Sequence, residues 1–192
     1  RVEVALKTIH THLFSDEQEL ELLRREVLAA RQVVSPNVCR IFDLVEVDGH
    51  ELVSMEYVDG ATLSDLLRET GGVEIQRASD IASQFLAGLD AVHRAGLVHR
   101  DVKPENVMVT RAGRVLLMDF GIAKEAADPS TGSVPGTPGY MAPEQARGEA
   151  VDARTDVYAA GVVLAELTSG GGLADAASRK DLWRRLREDP PR

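Results

Sequence analysis

Asp101, Lys103, Asn106 and Asp119 carry the side-chain types that could share one reaction. Between the last two lie the β-prone runs Val107–Thr110 and Val115–Met118, flanking Arg111-Ala112-Gly113-Arg114 in the pattern of a hairpin. With the tip centred on Ala112-Gly113, antiparallel pairing puts Val107 opposite Met118 and sets Asn106 beside Asp119 at the open end. A carboxylate and an amide oxygen placed there can share a hard cation such as Mg²⁺. Asp101 and Lys103 occupy the loop that enters the same end. A base, a cation and two metal ligands in one small volume suit phosphoryl transfer, which needs a positioned acceptor hydroxyl and neutralised phosphate charge.

The elements around this group follow from periodicity. Val2, Val4 and Leu6 alternate with Glu3, Ala5 and Lys7, which predicts a strand. Ser15 to Gln18 forms a capping box, and Leu20, Leu23, Val27, Ala30 and Val34 then recur as one helical stripe. Ser35-Pro36-Asn37 stops that helix. Two strands are predicted over Val38–Val47 and Glu51–Val58, joined by the two-residue turn Asp48-Gly49. From Thr62 onward the pattern is helical. Ala78, Ile81, Phe85, Leu89 and Val92 mark a long buried helix closed by Gly96, and helical spacing returns over Asp152–Thr168 and Arg179–Glu188. The stretch from Ala126 to Gly139, rich in Gly, Pro, Ser and Thr, reads as a long loop.

The motifs resemble the eukaryotic-like protein kinase family, in its bacterial serine/threonine branch. They are Val4-Ala5-Leu6-Lys7, then His99-Arg100-Asp101-Val102-Lys103-Pro104-Glu105-Asn106, then Asp119-Phe120-Gly121, then Gly136-Thr137-Pro138-Gly139-Tyr140-Met141-Ala142-Pro143-Glu144. They stand in the family's order over nearly the whole chain. The resemblance implies an α+β, two-lobed kinase fold. Residues 1–58 would be part of the small lobe, an antiparallel sheet plus one helix. Residues 59–192 would be an incomplete, mostly helical large lobe. It implies ATP and Mg²⁺ as cofactors, with Mn²⁺ as the alternative metal, and a protein substrate bearing a serine or threonine hydroxyl. Lys7 would hold the α- and β-phosphates and be oriented by an ion pair with Glu26. Asp101 would take or orient the hydroxyl proton, Lys103 would neutralise the transferring phosphate, and Asn106 and Asp119 would bind the metal. Met55, Glu56 and Val58 look like the gatekeeper and hinge, with Ala5 above the adenine and Met108 below it. Asp156 resembles the helix carboxylate that anchors the catalytic loop. His99 looks structural, packed under Phe120. His10, His12, His50 and His93 read as ordinary histidines.

Arg100, next to Asp101, is a cation that the resemblance pairs with a phosphate in the activation segment. Ser130, Thr131 and Ser133 are the candidate phosphosites, Thr131 first among them. Thr137 falls in the same segment, where a contact to the acceptor site is the preferred role.

The composition fits a soluble globular protein, at 44% apolar and 28% charged residues. A net charge of −9 argues against nucleic acid or an acidic membrane as partner. The single cysteine, Cys39, excludes an internal disulfide, fits a reducing, cytoplasmic compartment and reads as a core residue. The longest apolar run, Val157 to Leu167, contains Glu166 and is too short to span a bilayer. In the resembled bacterial kinases a membrane anchor often lies outside the catalytic part. Both ends read as cuts: the glycine-rich loop and the terminal helices of the family are missing. The Gly170–Ala177 region also departs from the family's pattern. An exposed strand edge therefore predicts association, dimerisation included, and weak ATP binding by this piece alone. Two other readings stay open: a pseudokinase or scaffold module, and a small-molecule phosphotransferase of related fold.

Overall fold

A computed structural model describes residues 3–9, 17–48, 50–119, 137 and 139–169. Ser15, Phe120, Gly121, Ser130, Thr131, Ser133 and the predicted helix Arg179–Glu188 lie outside the described residues.

The first part is a three-stranded antiparallel sheet, in the order β1-β3-β2, with one helix. Strand β1 is Val4–Thr8, helix α1 Glu17–Ala30, β2 Ile41–Val47 and β3 His50–Glu56. The β2–β3 turn is the predicted two-residue connection: Val47 pairs with His50, and Asp48 takes the positive φ of 51° that a type I′ turn needs at its first position. The alternation in β1 is also present, but its faces are the reverse of simple hydrophobic burial. Ala5 and Lys7 point to the half-buried side, and Leu6 is 59% exposed. This strand turns its lysine inward because the charged partner lies there, as described below.

Helix α1 buries Leu23, Val27 and Ala30 as its spacing predicts. It ends at Ala30, earlier than the stripe implied. The chain tightens there through Gln32 N–H to Ala29 C=O and Val33 N–H to Ala30 C=O, so Val33 is buried and Val34 is 75% exposed. The predicted strand over Val38–Val47 begins only at Ile41. Val38 instead makes a parallel bridge to Leu117 in the second sheet.

The second sheet, order β4-β5-β6, comprises Gly60–Thr62, Val107–Thr110 and Val115–Leu117. Its hairpin register differs from the expected one. Val107 pairs with Leu117, not Met118, and Met118 N–H bonds to Asn106 C=O. The cause is a three-residue loop in place of a two-residue one. Thr110 N–H bonds to Arg114 C=O, and Gly113, at φ 81°, occupies the left-handed position that such a loop requires. Asp119 therefore lies one residue beyond the partner of Asn106.

Helix α2, Leu63–Thr70, starts at a capping box in which Thr62 and Asp65 serve each other's amides. Helix α3, Ile75–Arg94, buries Ala78, Ile81, Phe85, Leu89 and Val92. A short helix α4, Pro143–Ala146, and α5, Ala153–Ser169, complete the described part.

The two parts are fastened where the 35–40 segment crosses α3 and β6. Asn37 Nδ2 donates to Val115 C=O at 2.9 Å, and Asn37 C=O accepts from Leu117 N–H at 2.9 Å. A Cβ added to Gly88 in α3 would sit 2.4 Å from that same carbonyl oxygen. Helix propensity alone favours alanine over glycine by about 1 kcal/mol. Forcing a backbone carbonyl out of a packed site costs about 1–3 kcal/mol. Gly88→Ala is therefore expected to lower the melting temperature by up to about 8 °C in a thermal denaturation. A higher melting temperature would show that the 35–40 segment yields freely.

Candidate active site

The loop from His99 to Asn106 carries the proposed catalytic group, and a buried carboxylate holds it. Asp156, in the first turn of α5, has a fully buried side chain. Its Oδ2 accepts the His99 N–H at 2.7 Å and its Oδ1 accepts the Arg100 N–H at 2.8 Å. These bonds stabilise the left-handed φ of 66° at Arg100, unusual for a residue with a Cβ. Gln145 Nε2 donates to Arg100 C=O at 2.9 Å, tying the loop to α4. The His99 ring lies between the two halves of the site. Its Nδ1 accepts the Asp101 N–H at 3.2 Å, so its Nε2 carries the proton that reaches Met118 C=O at 2.9 Å. Phe120, the expected neighbour of His99, lies outside the described residues.

Among the described residues, Lys103 and Asn106 both hold the Asp101 carboxylate. Lys103 Nζ is 3.0 Å from Oδ2, and Asn106 Nδ2 donates to Oδ2 at 3.1 Å and to the Asp101 C=O at 2.8 Å. Lys103 also donates to Thr137 Oγ1 at 2.9 Å, which joins the loop to the segment before α4. That segment is anchored in turn by Tyr140 Oη, which donates to the buried Glu166 carboxylate at 2.7 Å. Glu144 accepts from Thr155 Oγ1 at 2.7 Å.

Lys7 Nζ is 2.7 Å from Asp119 Oδ1, and both side chains are about one-third exposed. The expected Lys7–Glu26 ion pair is not the one formed. Glu26 Oε1 pairs with Arg100 Nη1 at 3.0 Å. Each cation takes the carboxylate within reach, and the Lys7 ammonium is already neutralised by Asp119. Lys7, Asp119, Asn106, Asp101 and Lys103 thus form one connected group: Asn106 bonds to Asp101 through its side chain and to Met118, the neighbour of Asp119, through its backbone.

This group fits a nucleotide and a divalent cation. The Asn106 amide nitrogen faces Asp101, which leaves its oxygen as an acceptor without a hydrogen bond among the described residues. That oxygen and the Asp119 carboxylate are hard donors of the kind Mg²⁺ takes together with phosphate oxygens and water. Lys7 and Lys103 supply positive charge on either side.

The residues expected to form the hinge lie at the end of β3 and just after it. Met55 is buried and pairs with Ala5, while Met108 pairs with Thr62. Val58 packs against the core. The Glu56 side chain is held by Arg114, with Nη1 to Oε1 at 2.6 Å, and Arg114 Nε also donates to Pro36 C=O at 2.7 Å. No local pattern around Arg114 marks it for these contacts. Cys39 is buried, and its Sγ lies 3.6 Å from Glu56 C=O. Burial, with the Glu56 and Asp119 carboxylates adding to it, pushes the Cys39 thiol up to about 12, so it stays a neutral core group.

An arrangement of this kind, with a carboxylate on a pinned loop, a lysine from one sheet and two oxygen donors at the end of another, suits phosphoryl transfer on an α+β scaffold. Comparison with known proteins is specific. The protein kinase domain model matches residues 1–189. A probable serine/threonine-protein kinase of Corynebacterium efficiens is 42% identical over 177 residues, covering 88% of this chain and 27% of that protein. The serine/threonine-protein kinase PknB of Mycobacterium leprae is 38% identical over 197 residues, covering 98% of this chain and 32% of that protein. The crystal structure of the Mycobacterium tuberculosis PknI kinase domain superposes with a TM-score of 0.73 at 30% identity, covering 97% of this chain and 78% of that one. The chain belongs to the protein kinase domain family. It spans about a quarter to a third of the length of these curated relatives. Among the described residues no helix is long and apolar enough to cross a membrane.

Proposed function

We propose that the protein containing this chain is a serine/threonine protein kinase, moving the γ-phosphoryl group of ATP to a protein hydroxyl, its own included. The observation that carries this is the placement of Asp101: its carboxylate touches Lys103 and Asn106, and its loop is fixed from below by Asp156. Mg²⁺, or Mn²⁺ in its place, would offset the charge of the phosphates. Asn106 and Asp119 would hold that cation, and Lys7 would bind the α- and β-phosphates. Asp101 orients the acceptor hydroxyl and takes its proton. Lys103 offsets charge on the group in transit while its bond to Thr137 keeps the acceptor segment against the loop. Ala5, Met55, Glu56, Val58 and Met108 would enclose the adenine. Residues 1–58 would act as part of the small lobe and 59–192 as part of the large one.

Arg100 is assigned to regulation, with phosphate on Ser130, Thr131 or Ser133 as its competing anion and Thr137 as the contact between segment and catalytic loop. Glu26, now on Arg100, would then be released to Lys7. A cytoplasmic setting suits the ATP requirement, with any membrane anchor outside this chain.

The test is acceptor choice. The purified full-length protein, given labelled ATP and Mg²⁺, is expected to label serine or threonine in a peptide panel and in itself, and to leave free sugars, choline and amino alcohols unlabelled. Transfer to a small molecule alone would favour the related phosphotransferase reading. No transfer, with nucleotide still bound, would favour the scaffold.

A further inference from the structure

Arg114 stands in the loop of the β5–β6 hairpin, at the end opposite to Asn106 and Asp119. Its backbone is tied twice to Thr110: its C=O accepts the Thr110 N–H at 2.9 Å, and its N–H donates to Thr110 Oγ1 at 3.0 Å. Its guanidinium is tied as well. Nε donates to Pro36 C=O at 2.7 Å, and because the group is planar this leaves Nη1 and Nη2 facing Glu56, at 2.6 Å from Oε1 and 3.5 Å from Oε2. The Pro36 carbonyl is itself well placed, since the next residue, Asn37, is bonded to Val115 and Leu117 of the same hairpin.

Glu56 is the last residue of β3. It pairs with Val4, and its N–H donates to Arg40 C=O at 2.8 Å, but the strand pairing goes no further. Arg114 supplies from the second sheet the hold that the first sheet ceases to give at this point. With its N–H and its carboxylate both held, Glu56 cannot turn about the strand axis, and its C=O keeps one direction. The neighbour of that oxygen is the Cys39 thiol at 3.6 Å, a weak donor. In the nucleotide site proposed above, the 6-amino group of adenine would be its stronger partner. One hairpin would then set both ends of the same ligand, the cation through Asn106 and Asp119 and the base through Arg114.

We propose that Arg114 is a positioning residue for adenine recognition, acting through the Glu56 side chain on the Glu56 carbonyl. The inference deepens the kinase reading and rests on its nucleotide site, and its test reads binding as well as turnover. In the full-length protein with Mg²⁺, Arg114→Ala is expected to weaken ATP binding about 5-fold by calorimetry, the scale of one ordinary hydrogen bond. KM for ATP should rise in step while kcat stays within about twofold, because a contact made equally in the ground and transition states does not alter kcat. The triphosphate of purine riboside carries hydrogen in place of the 6-amino group and has nothing to give this carbonyl, so its affinity should change by less than about twofold. Glu56→Ala removes the same contact from the other side and is expected to show the same split between the two nucleotides. The double variant should match Arg114→Ala alone, as for two residues that act as one unit. Unchanged ATP affinity in both single variants would overturn the proposal. So would an equal loss for the two nucleotides, which is the mark of a generally loosened site, or losses that add in the double variant. If the split appears in a protein that transfers no phosphate, the kinase reading fails and the role of Arg114 stands.

Discussion

Asp101→Asn is expected to cut kcat for peptide phosphorylation by about 10² to 10⁴, the range associated with losing a positioned proton acceptor. The substitution isolates the chemistry well. The asparagine oxygen can still accept from Lys103 and from the Asn106 amide, which hold the present carboxylate at 3.0 and 3.1 Å. Its backbone N–H keeps its bond to His99, and its C=O keeps that to Asn106. What is lost is the ability to take a proton and the negative charge that draws an acceptor hydroxyl. KM for ATP is expected to stay within about twofold, since the proposed nucleotide contacts come from Lys7, Asp119 and the hinge. Steady-state kinetics with varied ATP and varied peptide separates these quantities. Full activity in the variant would remove Asp101 from the reaction and with it the account of the site.

The residues that meet at the site were legible because each is tied to a local pattern. The hairpin between Asn106 and Asp119 carries both residues to one end of the sheet by alternation and a turn, and the one-residue shift in register leaves Asn106 C=O bonded to the N–H of Met118, the neighbour of Asp119. That error had a physical origin: Ala112-Gly113 looks like a two-residue tip, but the Thr110 hydroxyl bonds the Arg114 N–H, and Gly113 supplies the left-handed residue of a wider loop. Helix α1 was overextended for a similar reason. Val34 keeps helical spacing, yet the last turn tightens before it and exposes it.

Contacts between remote segments were legible only where a family motif carried them, as for Asp156 and the catalytic loop. Arg114 meets Glu56 across 58 residues, and His93 meets Asp156 across 63, and nothing in the neighbourhood of either residue marks the partner. Lys7 has two carboxylates to choose from. Sequence resemblance favours Glu26, whereas the structure joins Lys7 to Asp119 and Glu26 to Arg100. Partner choice among several charges in one cleft depends on distances of an ångström or two, and no periodicity encodes them. The bond from the Gln145 amide to the Arg100 carbonyl, across 45 residues, likewise has no local mark.

Asp119→Asn separates the metal-binding role from the proton-accepting one. Its carboxylate faces Lys7 at 2.7 Å and is one-third exposed, so it is placed both to neutralise the lysine and to offer oxygen to a cation. An amide keeps one oxygen but loses the charge, and hard divalent cations depend strongly on that charge. The expected result is a fall in kcat/KM of about 10² or more, the scale seen when a single preorganised electrostatic contact is removed. The dependence on Mg²⁺ should change as well: half-maximal rate should require several-fold more Mg²⁺ than in the wild type, whereas Asp101→Asn should leave that requirement where it was. The contrast is the informative part. Both variants are slow, but only one has a rate that climbs again as the metal is raised. If the two variants show the same Mg²⁺ curve as the wild type, Asp119 is a partner of Lys7 and not a ligand, and the oxygen of Asn106 would have to hold the cation with some other group.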